Sequence, residues 1–156
     1  MNRRLLTFTL ASCTLLASVT FATAQQFGSA AEAKAMFDHA VAALKAGAPA
    51  ALAAFNDKNN KDYHDRDLYV FCYNTSDGIL TAHANSANMG KDIRTTIKVG
   101  DDPLGQRIFD VITNAAEGAV STVDYKYPKP GTNELIPKQS YVTRIANQGC
   151  GVFYYK

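Results

Sequence analysis

The sequence lacks any long run of lysine and arginine, and its charges nearly cancel. Among 156 residues, 16 are Lys or Arg and 14 are Asp or Glu. Arg3 and Arg4 lie in an N-terminal segment that we expect to be removed, which leaves 14 basic against 14 acidic residues. Nucleic acids and anionic lipids are held mainly by clustered positive charge, so we expect neither as a partner.

The motifs of common catalytic and metal sites are also missing. The sequence contains no HExxH or CxxC spacing, no G-x-S-x-G turn and no phosphate-binding P-loop. His39, His64 and His83 are far apart, and the acidic residues are scattered along the chain. We therefore expect no enzymatic activity, no metal and no cofactor.

Long apolar runs are confined to the N-terminus. Residues 1–24 combine Arg3 and Arg4 with a mostly apolar stretch and an Ala22-Thr23-Ala24 end, which predicts a signal peptide cleaved after Ala24 and a periplasmic protein. A membrane anchor and a lipobox ending at Cys13 are the alternatives. After Gln25 no segment approaches the roughly 20 apolar residues of a membrane span, so the mature chain needs a partner to pass on a signal.

The remaining chain, 25–156, has the composition of one domain with a core, since 47% of the whole sequence is apolar and 19% is charged. Ser29 and Glu32 form a capping box before apolar residues at helical spacing. A second helical piece ends in a turn-rich stretch at residues 56–60. Asp102-Pro103 predicts the start of a later helix, with Asp102 as its cap.

Alternating patterns predict five strands, at 68–74, 79–85, 119–127, 138–146 and 150–155. The first two form a hairpin around Ser76-Asp77-Gly78. Strands joined by short turns pair antiparallel, so the order of elements predicts an α+β fold with a PAS-like five-stranded antiparallel sheet. The predicted elements include a long N-terminal helix, and another helix lies in the loop between strands 2 and 3.

Cys72 and Cys150 fall in the first and the last predicted strands. If these strands are neighbours, the two thiols can form a disulfide in an oxidising compartment. Two separately buried thiols are the alternative.

Alternation along the strands separates the side chains into two faces. Val70 and Val152 share a face with the cysteines, and the opposite face is aromatic. Its aromatic residues suit a small pocket and an ordinary core equally well: Tyr69, Phe71, Tyr73, Phe153 and Tyr155.

Several segments together resemble the single Cache domain, in a stand-alone secreted form. They are DLYVFCYNTSDGILTAHAN from Asp67, GKDI from Gly90, VDYKYPKPG from Val123, PKQSYV from Pro137 and the closing CGVFYYK. The resemblance implies an extracytoplasmic ligand-sensing fold with a small-molecule pocket between the sheet and the loops after the second strand.

The resemblance also implies six ligand-binding residues. They lie at the end of the second strand and in the third and fourth strands: His83, Asn85, Tyr125, Tyr127, Lys138 and Tyr141. A lysine ammonium can bind a carboxylate, while tyrosine hydroxyls orient it. Arg94 is a further cation to which no role is assigned.

We therefore expect a periplasmic binding and sensing module for a small carboxylate or amino acid. It would act through a membrane partner such as a chemoreceptor, kinase or transporter. The alternative is a ligand-free interaction or structural module, in which the aromatic face fills the core.

Overall fold

A capped helix opens the described part of the chain. The computed structural model describes residues 26–156, so the predicted signal peptide and Cys13 lie outside the described residues. Helix α1 (Ala30–Ala46) follows Ser29, whose side chain accepts a hydrogen bond from the Glu32 amide at 3.3 Å. The Glu32 carboxylate accepts one from the Ser29 amide at 2.7 Å, which confirms the capping box. Helix α2 (Ala48–Asn56) follows at once.

The sheet contains six strands, of which five correspond to predicted ones. The additional strand is the two-residue β1, which pairs with the start of β2. Helices α3 and α4 and a short 3₁₀ turn (Ser86–Asn88) connect β3 to β4. The bounds are β1 His64–Asp65, β2 Leu68–Asn74, β3 Leu80–Ala82, α3 Ile93–Thr96, α4 Leu104–Asn114, β4 Ser121–Pro128, β5 Leu135–Ile145 and β6 Gln148–Tyr155.

All strand pairs are antiparallel, and the strand order is β1-β2-β6-β5-β4, with β3 also on β2. The first and last long strands are therefore neighbours. Cys72 lies directly opposite Cys150, and the two form a disulfide with their Cα atoms 4.1 Å apart. The predicted pairing is confirmed. The α+β, PAS-like architecture with a long N-terminal helix is confirmed as well.

Each face of the sheet carries its own apolar core. Val70, Cys72, Cys150 and Val152 pack against α1 and α2, as part of one cluster with Phe37. On the other face, the side chains that alternate with these along the strands pack against α3 and α4. They include Phe71, Tyr73, Val123, Val142 and Phe153. The predicted division of the two faces is therefore correct.

Helix α4 starts very close to α3. A Cβ atom on Gly105 would overlap the Ile93 carbonyl oxygen, so a larger residue does not fit there. The predicted capping role of Asp102 is wrong, since Pro103 occupies the cap position and no side chain caps this helix. The Asp102 carboxylate instead pairs with Arg107 at 2.8 Å.

Candidate ligand-binding site

A cavity of about 210 Å³ lies between the aromatic face of the sheet and the α3–α4 connection. The sheet contributes its floor, and apolar residues of β3, α3 and α4 with nearby loop residues form its roof. The residues around it are Tyr69, Phe71, Leu80, His83, Asn85, Asn88, Ile93, Ile97, Leu104, Ile108, Tyr125, Tyr127, Lys138 and Phe153. The aromatic face is thus both core and cavity wall.

Lys138 supplies the cationic group of this cavity. It lies near the start of β5, opposite Tyr125 on β4 and Tyr155 on β6, and is only 5% exposed. Its Nζ atom is 3.3 Å from the centre of the Phe153 ring, 4.2 Å from that of Tyr155 and 4.9 Å from that of Tyr127. Three rings therefore surround the ammonium group.

The three aromatic rings carry no negative charge that could neutralise the Lys138 ammonium group. Within residues 26–156, no carboxylate forms an ion pair with the Lys138 Nζ atom and no acceptor receives a hydrogen bond from it. Burial lowers the pKa of Lys138 to about 7, and the negative charge of Asp67 opposes this change only partly. A buried ammonium that lacks a partner is costly, so burial favours loss of the Lys138 proton.

His83 and Tyr69 lie together at another part of the wall. The Nδ1 atom of His83 accepts a hydrogen bond from the Asn85 amide at 2.9 Å, and its Nε2 atom lies 3.4 Å from the Tyr69 hydroxyl oxygen. Burial lowers the pKa of His83, so the ring is neutral near pH 7. With Nδ1 as an acceptor, the proton of the neutral ring is on Nε2 and points to the Tyr69 oxygen. The Tyr69 hydroxyl can then donate its own hydrogen to a ligand.

The other tyrosines near Lys138 are also neutral. The Tyr125 hydroxyl lies 3.0 Å from the Ser140 hydroxyl, and the Tyr155 hydroxyl donates to the Pro128 carbonyl at 2.9 Å. Burial raises the pKa of Tyr69 and Tyr125 well above the ordinary value and that of Tyr155 to about 12. No phenolate among these three neutralises the ammonium group at physiological pH.

The structure brings five of the six predicted ligand residues to the cavity: His83, Asn85, Tyr125, Tyr127 and Lys138. Two of them are not where the sequence predicted. Strand β3 ends at Ala82, so His83 and Asn85 belong to the following loop. The Asn85 side chain accepts a hydrogen bond from the Ala87 amide at 3.0 Å and thereby caps the 3₁₀ turn.

Tyr141 is the exception, because it lies on the other side of the sheet. Its ring is 6.1 Å from that of Phe37 in α1 and 5.7 Å from that of Tyr154. Tyr141 and Lys138 are three positions apart on one strand, so alternation directs them to opposite faces. The prediction that Tyr141 lines the pocket is wrong.

Arg94 also has its place outside the cavity. Its guanidinium pairs with the Asp92 carboxylate at 2.6 Å and donates to the Asp77 carbonyl at 2.8 Å, which ties α3 to the β2–β3 turn. Hydrogen bonds from Arg94 lower the pKa of Asp92. The role of this cation is structural.

Sequence reasoning did not select several residues of the cavity. Asn88 is in the 3₁₀ turn, and Tyr69 and Phe153 belong to the aromatic face whose role was left open. The apolar spacing of Leu104 and Ile108 predicted a helix but gave no sign that this helix covers a ligand site. Among residues 26–156, no cluster of three His, Cys, Asp or Glu side chains is arranged to hold a metal ion.

The fold and the cavity define a PAS-like α+β domain with a cavity against its sheet. The family model described as Cache domain matches residues 36–149, and the chain belongs to this family. No match to a curated protein is found.

Three solved structures have a similar fold. A methyl-accepting chemotaxis protein from Vibrio parahaemolyticus is 20% identical, with a TM-score of 0.59 over 80% of this chain and 86% of that one. A periplasmic sensor domain of a chemotaxis protein is 22% identical, with a TM-score of 0.54 over 79% and 87%. A Cache chemosensory domain whose structure is described as explaining carboxylic acid recognition is 21% identical, with a TM-score of 0.52 over 79% and 85%.

Proposed function

We propose that this Cache domain is a periplasmic binding and sensing module for a small carboxylate or amino acid. In this proposal it acts through a membrane partner such as a chemoreceptor, kinase or transporter. The observation that carries the proposal is the buried Lys138 ammonium, which has a cavity in front of it and no anionic partner among the described residues. A carboxylate would supply the missing negative charge.

The chemistry around Lys138 supports an anionic ligand. A charged group in a low-dielectric site gains strongly from an opposite charge and from hydrogen bonds that satisfy it. The Tyr69 hydroxyl has a hydrogen to donate, and the aromatic rings exclude competing water. One of the structural neighbours is itself described as recognising a carboxylic acid, which agrees with this chemistry.

The cavity size restricts the ligand to a small molecule. Its volume of about 210 Å³ lies below the roughly 300–1,000 Å³ that is typical of protein ligand pockets. This space suits a small organic acid. Its apolar tail would contact the roof of the cavity, which consists of Leu80, Ile93, Ile97, Leu104 and Ile108.

A series of contacts leads from Lys138 to the segment that precedes α1. The Tyr155 ring contacts the Lys138 ammonium and also packs against the Phe27 ring just before α1, with 5.1 Å between the ring centres. Gly28 in the same segment donates its amide hydrogen to Asp67 at 2.6 Å. A ligand that moves Lys138 or Tyr155 would therefore act on the segment that precedes the first helix, where a partner could detect the change.

The cellular location in this proposal is the periplasm, with 1–24 as a cleaved signal peptide and 25–156 as the domain. Cache domains are extracytoplasmic, and the Cys72–Cys150 disulfide suits an oxidising compartment. No helix in the part of the chain described by the structure is long and apolar enough to cross a membrane. The Cache family is ligand-binding rather than catalytic.

A thermal-shift screen tests the proposal. The panel contains acetate, propionate, pyruvate, glycine and L-alanine, with wild-type protein, Lys138→Met and the exposed-lysine control Lys126→Met. A ligand at a hundred times its dissociation constant adds about 2.7 kcal/mol of stability, which raises the melting temperature on the order of 10 °C. We expect a shift in the wild type and the control but not in Lys138→Met. If no compound shifts the wild type, the proposal fails and the ligand-free alternative is favoured.

A further inference from the structure

The described cavity lining contains a basic side chain but no acidic one. Lys138 is the only cationic side chain in the described lining, and no Asp or Glu is among these residues. The carboxylate of an amino acid could bind Lys138, but its ammonium group would find no acidic partner and would lie near a second positive charge. A monocarboxylate with an apolar tail fits both the lone cation and the aliphatic roof.

We infer that the cavity binds a short-chain monocarboxylate together with one proton, which Lys138 takes up, and that it discriminates against amino acids. The inference rests on the proposed carboxylate-binding function and adds the ligand class and the pH response of the same site.

The geometry explains why the proton arrives with the ligand. The Lys138 amine touches three aromatic rings and pairs with no anion of the described chain. Its pKa of about 7 means that roughly nine in ten molecules hold the neutral amine at pH 8. A carboxylate beside Nζ favours the ammonium form and raises this pKa again. Binding at pH 8 therefore takes one proton from the solvent.

Neither the tyrosines nor the helix residues around the cavity can take up this proton. Tyr125 and Tyr127 on β4 and Tyr155 on β6 lie beside Lys138, and Tyr69 on β2 lines the same cavity. A phenol hydroxyl can lose a proton but does not take up a second one. The α3 and α4 residues around the cavity are apolar.

Two other titratable groups lie near the site. His83 would lose the hydrogen bond from the Asn85 amide if Nδ1 were protonated, and burial already lowers its pKa. The negative charge of Asp67 raises the pKa of Lys138, but Asp67 is outside the cavity lining, and its carboxylate accepts a hydrogen bond from the Gly28 amide. Lys138 is therefore the group that gains the proton.

Isothermal titration calorimetry with propionate tests the inference. Titrations at pH 8 in phosphate and in Tris, and at pH 6 in phosphate and in Bis-Tris, give the number of protons bound, because the two buffers of each pair differ in ionisation enthalpy. We expect most of one proton to be taken up at pH 8 and much less at pH 6, with an affinity that falls towards tenfold per pH unit as the pH rises above 7. L-alanine differs from propionate by its ammonium group alone, and we expect it to bind at least tenfold more weakly.

Lys138→Arg provides the matched variant, since a guanidinium keeps its charge over this pH range. We expect its propionate affinity to be independent of pH between 6 and 8, whereas the exposed-residue control Lys126→Arg keeps the wild-type pH dependence. The two-buffer measurement on the wild type stands by itself if the arginine does not fit.

The possible failures are distinct. Propionate binding at pH 8 with fewer than about 0.2 protons taken up overturns the proton linkage. L-alanine binding as tightly as propionate overturns the ligand class. Absence of binding by every acid in the panel overturns the proposed function itself.

Discussion

Replacing Lys138 by methionine removes the buried charge and keeps an unbranched side chain of similar length. Because Lys138 is only 5% exposed and its Nζ atom pairs with no anion of the described residues, this change should stabilise the ligand-free protein while it abolishes carboxylate binding. Replacement of buried ionic groups by apolar ones often stabilises proteins by about 1–4 kcal/mol.

The magnitude follows from the pKa of Lys138. The value is about 7 in the folded protein and 10.5 for an unperturbed lysine. At about 1.4 kcal/mol per pH unit, the charged form costs the folded state on the order of 5 kcal/mol below pH 7. Cation–π contacts with the three rings offset part of this cost, typically by about 0.5–2 kcal/mol. We expect Lys138→Met to be more stable than the wild type by about 2–4 kcal/mol at pH 6.

The sign of the pH dependence is also determined. Between about pH 7 and pH 10.5 the unfolded chain binds the lysine proton and the folded chain does not, so the stability of the wild type rises with pH in this window. The methionine variant lacks this contribution. Its advantage over the wild type should therefore shrink by about 2–3 kcal/mol between pH 6 and pH 9.

Urea unfolding at pH 6 and pH 9, with the disulfide intact, measures both quantities. Lys126→Met is the control, because Lys126 is exposed on the adjacent strand β4 and its removal should cause no comparable change. A Lys138→Met protein that is less stable than the wild type at pH 6 would refute the reasoning. So would an advantage that is equal at both pH values.

Three further predictions concern the disulfide, the cavity wall and the roof. The double variant Cys72→Ala, Cys150→Ala should lose roughly 4 to 5 kcal/mol in urea unfolding, because the bond closes a loop of 78 residues; an unchanged midpoint would contradict this. In calorimetry, Tyr69→Phe should weaken propionate binding about 2- to 10-fold through loss of one hydrogen bond, while Tyr141→Phe has no effect; equal effects would contradict their placement. Gly105→Ala should lower the free energy of unfolding by about 1–3 kcal/mol, because its Cβ overlaps a carbonyl of α3. Wild-type stability in that variant would argue against the close α3–α4 contact.

Local sequence patterns were sufficient for most of the framework. The capping box at Ser29 and the period of α1 depend on residues three or four positions apart. The strand alternation placed Cys72 and Cys150 on one face and the aromatic residues on the other. These properties are local, so a single chain displays them without knowledge of its partners in space.

Two errors in the predicted site have identifiable causes. The pattern at 79–85 is compatible with a strand, but Asn85 caps a 3₁₀ turn and the chain leaves the sheet after Ala82. Tyr141 was selected by resemblance although its position relative to Lys138 requires the opposite face. In the second case the alternation rule was the better guide.

The sequence by itself thus determined the order of most elements and the strand residues that share a face, because these follow from spacing along the chain. Only the tertiary structure decided that Lys138 is surrounded by rings from two other strands and that open space remains in front of it. Burial of Lys138 depends on Tyr127, Phe153 and Tyr155, while the cavity depends on how far α4 stands from the sheet. Distances between segments remote in sequence have no local signature, so the burial of Lys138 and its lack of an ion-pair partner became visible only in the folded chain.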